Sequence, residues 1–496
     1  MASSAAADPR SQHAAPATRA AASAAGASSS ASGASAAAAG ALASARAGAL
    51  LRVGSAAGFS GDRTDAAAPV VDALAAAGGP AFLIFETLAE RTLALAQLAR
   101  RGDPDGGYEP LLDELLRPVL ARCLEAGIGI VSNFGAANPP GAARRILALA
   151  RELGLRAPRI AVVEGDDLGG AAQRPLLERA LGAALGGFEV VSANAYVGAE
   201  PIADAIRAGA EIVVCGRVSD PSLTVGPALA HFGWARDDWD RLARATMAGH
   251  LLECGAQVSG GYYADPGYKD VPGMAHLGYP IAEIDAEGDC TVTKPAGTGG
   301  RIDTHSVREQ LLYEVHDPAA YVTPDVVADL GGARVAEIGA DRVRLEGVRG
   351  HARPADLKVN VCHENGWLAE GEISYAGARA EARARLAAEV LRERLHGLGP
   401  LRVDLIGVES LFADDGGARL AARAPGDARD VRLRVALNHA SRQAAERLGR
   451  EVTALYTCGP AGGGGVRTGL RARLGIVSCA VPRAAVPVGY RFVASA

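Results

Sequence analysis

The sequence predicts an α/β protein whose first domain is an open, doubly wound parallel sheet and whose second, smaller domain is α+β and ferredoxin-like. Between residues 51 and 217, short apolar runs alternate with helical patterns, which is typical of right-handed βαβ units. Each apolar run is followed by a cluster of Gly, Asn or acidic residues. In the last third of the chain, strands and helices follow a second order, β-α-β-β-α-β.

The strands of the first domain are predicted from continuous apolar runs, because a parallel sheet is covered by helices on both faces. These runs are 51–54, 81–86, 127–132, 159–164, 188–194 and 210–215. The helical patterns between them are 66–78, 89–101, 109–126, 141–153, 172–185 and 200–208. Six strands favour an open sheet, and a barrel completed by later strands is the alternative. We expect this domain to span residues 49–330.

The second domain is predicted over residues 331–496. Its strands are expected at 356–363, 401–411, 430–437 and 452–457, and its helices at 376–397 and 439–449. This arrangement is shared by proteins of many functions, so it says little about the activity.

Residues 1–48 are almost entirely Ala, Ser and Gly, with occasional Arg. Such a segment has few large apolar side chains to bury, so we expect a disordered tail. An organelle-targeting peptide is the alternative, because the segment is Ser-rich and Asp8 is its one acidic residue.

The charge and cysteine content limit the class of protein. A net charge of -5 on 496 residues does not favour nucleic acid or an anionic membrane as a partner. No apolar run of about 20 residues predicts a membrane span. The seven cysteines are scattered without CxxC spacing, which fits a reduced cytoplasmic protein. We therefore expect a small-molecule ligand, and the sequence leaves a homo-oligomer open.

The clusters after the first two strands carry the first site candidates. In GSAAGFSGDR (54–63), Gly58, Gly61 and Arg63 suit an anion beside a helix N-terminus, and Asp62 is an acid or a helix cap. A purely structural turn is the alternative. Glu86 follows four apolar residues, so partial burial would raise its pKa into the range useful for a general acid or base. A structural ion pair is the alternative for Glu86.

Later clusters add amides, acids and a cation. Asn133 and Asn194 suit a carbonyl or hydroxyl of a substrate, and Arg217 could bind a carboxylate or phosphate, or pair with Asp220. Glu164 is a further candidate acid. With Asp166 and Asp167 it could hold a divalent ion, although either Asp could instead cap a helix.

Two late Gly-rich loops contain a cation each. Lys294 and Gly297 lie in the first loop and Gly462 in the second, and either loop could hold the phosphates of coenzyme A or be a simple connection. No HxH or HExxH pattern is present, so the sequence predicts no metal site and no tightly bound cofactor as its first reading.

Taken in order, eight motifs resemble the acyclic terpene utilisation family AtuA over roughly residues 51–470. They are GSAAGFSGDR (54–63), FETLAERT (85–92), NFGAANP (133–139), VVEGDDL (162–168), CGRVSDPSL (215–223), HLLECGAQVSGG (250–261), TKPAGTGG (293–300) and TCGPAGGGGVR (457–467). The resemblance implies a role in the breakdown of citronellol and geraniol, whose intermediates are carried as coenzyme A thioesters. It assigns no catalytic residue.

The leading hypothesis is therefore an enzyme that acts on a branched or terpenoid acyl-CoA by hydration, dehydration or a lyase step. Glu86 would be its acid or base, Asn133 and Asn194 would bind the thioester carbonyl, and Arg217 or Lys294 would neutralise an anionic group. The alternatives are a metal-assisted hydrolase that uses Glu164, Asp166 and Asp167, and a non-catalytic subunit of a catabolic complex.

Overall fold

The computed structural model describes residues 50–494, so the predicted tail at 1–48 lies outside the described residues. In chain order the strands and helices are β1 (Leu51–Ser55), α1 (Ala67–Ala77), β2 (Ala81–Phe85), α2 (Glu90–Gly102), α3 (Leu112–Leu116), α4 (Leu120–Ala126), β3 (Gly129–Ser132), α5 (Pro139–Glu152), β4 (Ile160–Glu164), α6 (Arg174–Leu181), β5 (Val190–Ala195), α7 (Glu200–Arg207), β6 (Ile212–Val214), α8 (Ser222–Phe232), α9 (Trp239–Glu253), β7 (Ile281–Ile284), β8 (Cys290–Thr293), α10 (Thr304–Leu312), β9 (Tyr321–Val322), β10 (Val327–Asp329), β11 (Arg334–Gly339), β12 (Arg342–Glu346), β13 (Arg349–His351), β14 (Asp356–Ala376), α11 (Ala380–Arg394), β15 (Leu401–Ile406), α12 (Ala418–Ala422), β16 (Asp430–His439), α13 (Arg442–Cys458), β17 (Gly464–Pro482) and β18 (Gly489–Phe492).

Of the three sheets within residues 50–494, the smallest is β13-β10-β9, and the largest has ten strands in the order β11-β12-β8-β7-β1-β2-β3-β6-β4-β18. Its centre, β1-β2-β3-β6-β4, is parallel, as predicted. The flanking strands pair antiparallel, so the prediction of a wholly parallel sheet was wrong and the sheet is mixed. The reason lies in the connections, because β7–β8 and β11–β12 are joined by short turns, whereas a parallel pair needs a long crossover. Since β11 and β18 lie at opposite ends of this order, the sheet is open.

Helices cover both faces of this sheet, which explains its continuous apolar strands. Along β2, Ile84 packs on the side of α7, α8 and α9, whereas Leu83 and Phe85 pack on the side of α1, α4 and α5. The side chains on both faces are mostly Ala, Val, Leu and Ile, as the scarcity of aromatic residues indicates. No helix within residues 50–494 is both long enough and apolar enough to cross a membrane.

One predicted strand of the first domain belongs to a different sheet. The run at 188–194 forms β5, but β5 pairs antiparallel with the first half of β14. The free edge of β4 is instead occupied by β18, near the end of the chain. Placing β5 in the parallel sheet was therefore wrong, because which strands pair is decided by long-range packing and not by order along the chain.

The second sheet has the order β15-β16-β14-β17. Along the chain its elements are β14, α11, β15, α12, β16, α13 and β17, so the short helix α12 adds to the predicted β-α-β-β-α-β order. Helices α11 and α13 pack against one of its faces. The predicted strand at 452–457 was wrong, because this segment is the end of α13. Val452 and Leu455 lie three residues apart and both are buried against the sheet, which is a helical spacing.

The two sheets share segments from both parts of the chain. Strand β14, with 21 residues, pairs with β17 along most of its length and also carries β5 and β16. A division into domains at residue 330 stays a prediction.

Candidate functional site

A cavity of about 590 Å³ lies beyond the carboxyl ends of the parallel strands, where ligands bind in open α/β sheets. Its walls come from the loops after β1, β2 and β6, the end of α9, the segment after α10, and β14. The lining residues are Gly58, Phe59, Asp62, Glu86, Leu88, Ala89, Glu90, Tyr196, Arg217, Asp220, Glu253, Cys254, Ala256, Gln257, Gly261, Tyr262, Tyr279, Tyr313, Glu314 and Lys358.

Glu86 directly follows β2 and is the buried carboxyl group of this cavity. Its side chain is only 7% exposed, and its Oε1 accepts hydrogen bonds from the Leu88 N–H (2.9 Å) and from Asn133 Nδ2 (2.8 Å). Burial raises the pKa of Glu86 to about 7, against the opposing charge of Arg217. A carboxyl group with a pKa near neutrality can both give and take a proton, which is the requirement for a general acid or base.

Asn133 lies behind Glu86 and orients it. Asn133 directly follows β3 and is fully buried, and its Oδ1 accepts hydrogen bonds from the Thr87 N–H (2.8 Å) and Thr87 Oγ1 (3.1 Å). Because these contacts occupy the oxygen, the amide nitrogen faces Glu86. Asn133 is not among the lining residues, so its contact is with the carboxyl group rather than with the space of the cavity.

Arg217 follows β6 and is nearly fully buried. It donates to the backbone carbonyls of Val218 and Leu88, it pairs with Asp220, and its guanidinium lies 4.5 Å from the centre of the Tyr196 ring. These contacts fix the positive charge of Arg217 at the cavity wall.

Asn194 and Asp166 support the loop that carries Arg217. Asp166 is buried, and its Oδ2 accepts hydrogen bonds from the Arg217 N–H (2.8 Å) and from Asn194 Nδ2 (3.0 Å). Burial raises the pKa of Asp166 to about 6. Neither Asp166 nor Asn194 lines the cavity. Because Asn133 does not line it either, the two amides predicted to bind a substrate carbonyl are not brought together there.

The first Gly-rich loop is closed by Asp62. Its Oδ2 accepts a hydrogen bond from the Gly58 N–H (2.8 Å), and its Oδ1 accepts from the Arg63 N–H (2.7 Å) and the Tyr279 hydroxyl (2.5 Å). A Cβ atom at Gly58 would lie 2.5 Å from the carbonyl carbon of Cys254, so glycine permits this loop to approach the end of α9.

Two other residues that the sequence selected in the first Gly-rich loop, Gly61 and Arg63, have structural roles outside the cavity. Gly61 has a φ of +98°, a conformation that favours glycine, and the Arg63 side chain pairs with Asp65 (2.8 Å). Neither Gly61 nor Arg63 is among the lining residues.

The other predicted residues lie outside the cavity. Glu164 pairs with Arg491 on β18 (2.6 Å), Lys294 contacts the Thr298 carbonyl (3.0 Å), and Gly297 and Gly462 are turn residues with positive φ. The acids at 164, 166 and 167 contact separate partners. Within residues 50–494, no group of three or more His, Cys, Asp and Glu side chains is placed to hold a metal ion.

A second polar group at the cavity comes from residues that sequence reasoning did not select. Glu90 accepts hydrogen bonds from Tyr196 and from Asn360 Nδ2 (2.9 Å), and Lys358 lies 3.8 Å from it. Lys358 and Asn360 belong to β14 and come close to Glu90 through the pairing of β14 with β5, which no local signal predicts. Of these two residues, Lys358 lines the cavity.

Glu253 is a further cavity residue that the sequence analysis did not select, although the sequence contains a local signal for it. It ends α9 and lines the cavity, and His250 lies three residues earlier, on the same face of the helix. The spacing within HLLECG indicates a paired His and Glu.

Two lining residues other than glycine have the left-handed backbone conformation, Tyr262 (φ 58°) and Glu314 (φ 59°). Residues held in such conformations cluster at ligand and active sites. Tyr262 and Phe59 are also large exposed aromatic side chains beside the cavity.

The family model described as acyclic terpene utilisation family protein AtuA matches residues 51–492. No curated protein and no solved structure matches the chain. Because the family model covers nearly all of the described residues, the chain belongs to the acyclic terpene utilisation family AtuA.

Proposed function

We propose that this cavity is the active site of an acid–base enzyme of acyclic terpene breakdown, and that Glu86 is its proton-transfer group. The reaction would be a hydration, a dehydration or a lyase step on a branched acid carried as its coenzyme A thioester. The observation that carries the proposal is the buried Glu86 carboxyl, which has a pKa of about 7 and faces a cavity of about 590 Å³.

The surroundings of Glu86 suit proton transfer at a fixed position. Two donors hold its Oε1, from Leu88 and Asn133, so the other oxygen, Oε2, is the atom available to a substrate. Asn133 is itself fixed by Thr87. A group oriented in this way needs no rearrangement when the proton moves.

The walls of the cavity suit an apolar chain with one anionic group. Phe59, Leu88, Tyr262 and Tyr313 supply apolar and aromatic surface, and the volume lies within the range of small-molecule sites. Lys358 lines the same cavity and is half exposed, so we propose it as a contact for a carboxylate or phosphate of the substrate.

The test is Glu86→Gln, assayed with coenzyme A thioesters of the branched acids derived from citronellol and geraniol. Gln keeps the shape and can accept both hydrogen bonds, but it cannot titrate. We expect normal folding and ligand binding, measured as a thermal shift, with turnover lowered about 10²–10⁴-fold.

The matched control is Glu381→Gln. Glu381 is also buried but lies on α11, where it pairs with Arg385. We expect its turnover per folded molecule to equal that of the unaltered protein. If Glu86→Gln also keeps full turnover, Glu86 is not the acid or base.

The two rival functions give different results in the same assays. A metal-assisted hydrolase would lose activity on chelation and would release free acid. A non-catalytic subunit would bind thioesters but turn none over until a partner protein is added.

A further inference from the structure

Glu253 has a buried carboxylate oxygen without a partner. Its side chain is about nine-tenths buried, it lines the cavity, and its Oε2 has no hydrogen-bond partner among the described residues. An unpaired buried carboxylate oxygen costs free energy, so its retention beside a cavity indicates that something else satisfies it there.

His250 determines where the protons of this group lie. Its Nε2 is 2.9 Å from the Gln310 carbonyl oxygen, which can only accept, so Nε2 carries a hydrogen. Its Nδ1 is 2.8 Å from Glu253 Oε1, and this contact also requires one proton between the two atoms. An imidazolium paired with a carboxylate meets both requirements.

The electrostatics of the pair agree with this state. Burial lowers the pKa of His250, but the charge of Glu253 and the hydrogen bond to it outweigh burial, and the net pKa lies above the usual value. The charge of Glu253 also contributes to the raised pKa of Glu86, which places the two carboxyl groups within electrostatic reach.

We propose that Glu253, held by His250, is the second proton-transfer group of the cavity and acts as the base, with Glu86 as the acid. Oε2 of Glu253 would be the catalytic atom, and His250 a positioning residue that holds Oε1 of Glu253. This inference rests on the proposed function and adds the second proton-transfer group of the same reaction.

The step balances without any other reactant. In the dehydration direction, Glu253 Oε2 takes a proton from the substrate carbon, and the electron pair of that C–H bond forms the new C=C bond. The neighbouring C–O bond breaks, and protonated Glu86 gives its proton to the departing oxygen, which leaves as water. Glu253 ends protonated and Glu86 ionised, and hydration is the reverse.

Other titratable and charged groups face the pair from each neighbouring element. They are Glu86 after β2, Cys254 after α9, Glu314 after α10 and Tyr321 on β9, whose ring centre is 5.2 Å from that of His250. Burial raises the pKa of Cys254 to about 12, so it stays a neutral thiol.

The first measurement is ¹⁵N NMR of histidine-labelled full-length protein, which needs no substrate. We expect the His250 ring, assigned as the signal missing from His250→Asn, to titrate above the usual value of about 6.5. In Glu253→Gln its midpoint should move down. A His250 ring that is neutral at pH 6.5, or that does not respond to Glu253→Gln, would overturn the proposal.

The second measurement compares the kinetics of Glu86→Gln, Glu253→Gln, His250→Asn and His250→Gln. We expect Glu253→Gln to lower kcat about 10²–10⁴-fold with little change in KM. Both His250 variants should move the acidic limb of the kcat/KM profile to higher pH, because the carboxylate loses a positive neighbour. A purely structural His250 would lower stability and leave the profile in place.

The outcomes separate the two proposals. If Glu86→Gln loses turnover and Glu253→Gln keeps it, the role of Glu253 is wrong and the acid–base function stands. If both keep full turnover, the proposed function itself fails.

Discussion

At the scale of single residues, Glu86 links the chemistry of the cavity to the stability of the fold. Its carboxyl is buried, and burial raises its pKa from 4.5 to about 7. The folded protein therefore binds this proton more tightly than the unfolded chain does. By linkage, the contribution of Glu86 to stability is fully present below pH 4.5 and is lost as the pH rises through 7.

We predict that Glu86→Gln removes this loss. At pH 5 the variant and the unaltered protein should have similar free energies of unfolding. At pH 8 the variant should be more stable, by up to about 3 kcal/mol, since one pKa unit corresponds to about 1.4 kcal/mol. Urea unfolding at both values measures the difference. Equal stability at pH 8 would mean that Glu86 ionises normally in the fold.

At the scale of elements, a single carboxylate joins the starts of two helices. Asp325, in the loop before β10, is buried. Its Oδ1 accepts a hydrogen bond from the Ala199 N–H (2.7 Å) before α7, and its Oδ2 from Ser222 Oγ (2.5 Å) at the start of α8. These helices follow β5 and β6, whose loops carry Tyr196 and Arg217, so Asp325 helps to position that wall of the cavity.

We predict that Asp325→Ala lowers the free energy of unfolding by about 2–4 kcal/mol, because it leaves two buried donors without acceptors. Asp325→Asn keeps one acceptor oxygen and should lose less. Chemical denaturation of the two variants gives the comparison. Equal losses would show that the second hydrogen bond contributes nothing.

At the scale of the whole molecule, the two sheets depend on each other. The residues after 330 supply β14 to β5 and β18 to β4. Leu357, Val359 and Val361 of β14 pack in one cluster with Leu177 and Ala193. A fragment ending at residue 330 would expose this apolar surface.

We predict that residues 49–330, expressed alone, do not unfold cooperatively and bind a hydrophobic dye, whereas the full chain unfolds in one calorimetric transition. A fragment that melts cooperatively would instead support the domain boundary that the sequence suggests at residue 330.

Much of the architecture could be predicted because local signals agree with it. The parallel strands β1, β2, β3, β4 and β6 begin and end within about two residues of the predicted runs, since a strand buried on both faces must be continuously apolar. Glu86 could be found for the same reason, because a carboxyl group that directly follows such a run lies at the edge where ligands bind.

The pairings of β5, β14 and β18 could not be predicted in this way. Each joins segments that are far apart in the chain, and an apolar run has the same local pattern whichever sheet receives it. For a related reason, the sequence could not predict that Glu164 and Lys294 lie outside the cavity. A charged residue at the end of a strand can pair with any opposite charge that folding brings near, as Glu164 does with Arg491 and Lys294 with Asp341.

The sequence by itself determined the strands of the parallel centre and the helices between them, and that acids and amides gather beyond those strands, because periodicity and strand direction are local properties. Only the tertiary structure decided which of those groups meet in one cavity. Lys358 lies there because β14 pairs with β5, more than 160 residues earlier in the chain, and Glu253 lines the same cavity as Glu86 because α9 ends there. Burial, which raises the pKa of Glu86, also depends on every element that covers it.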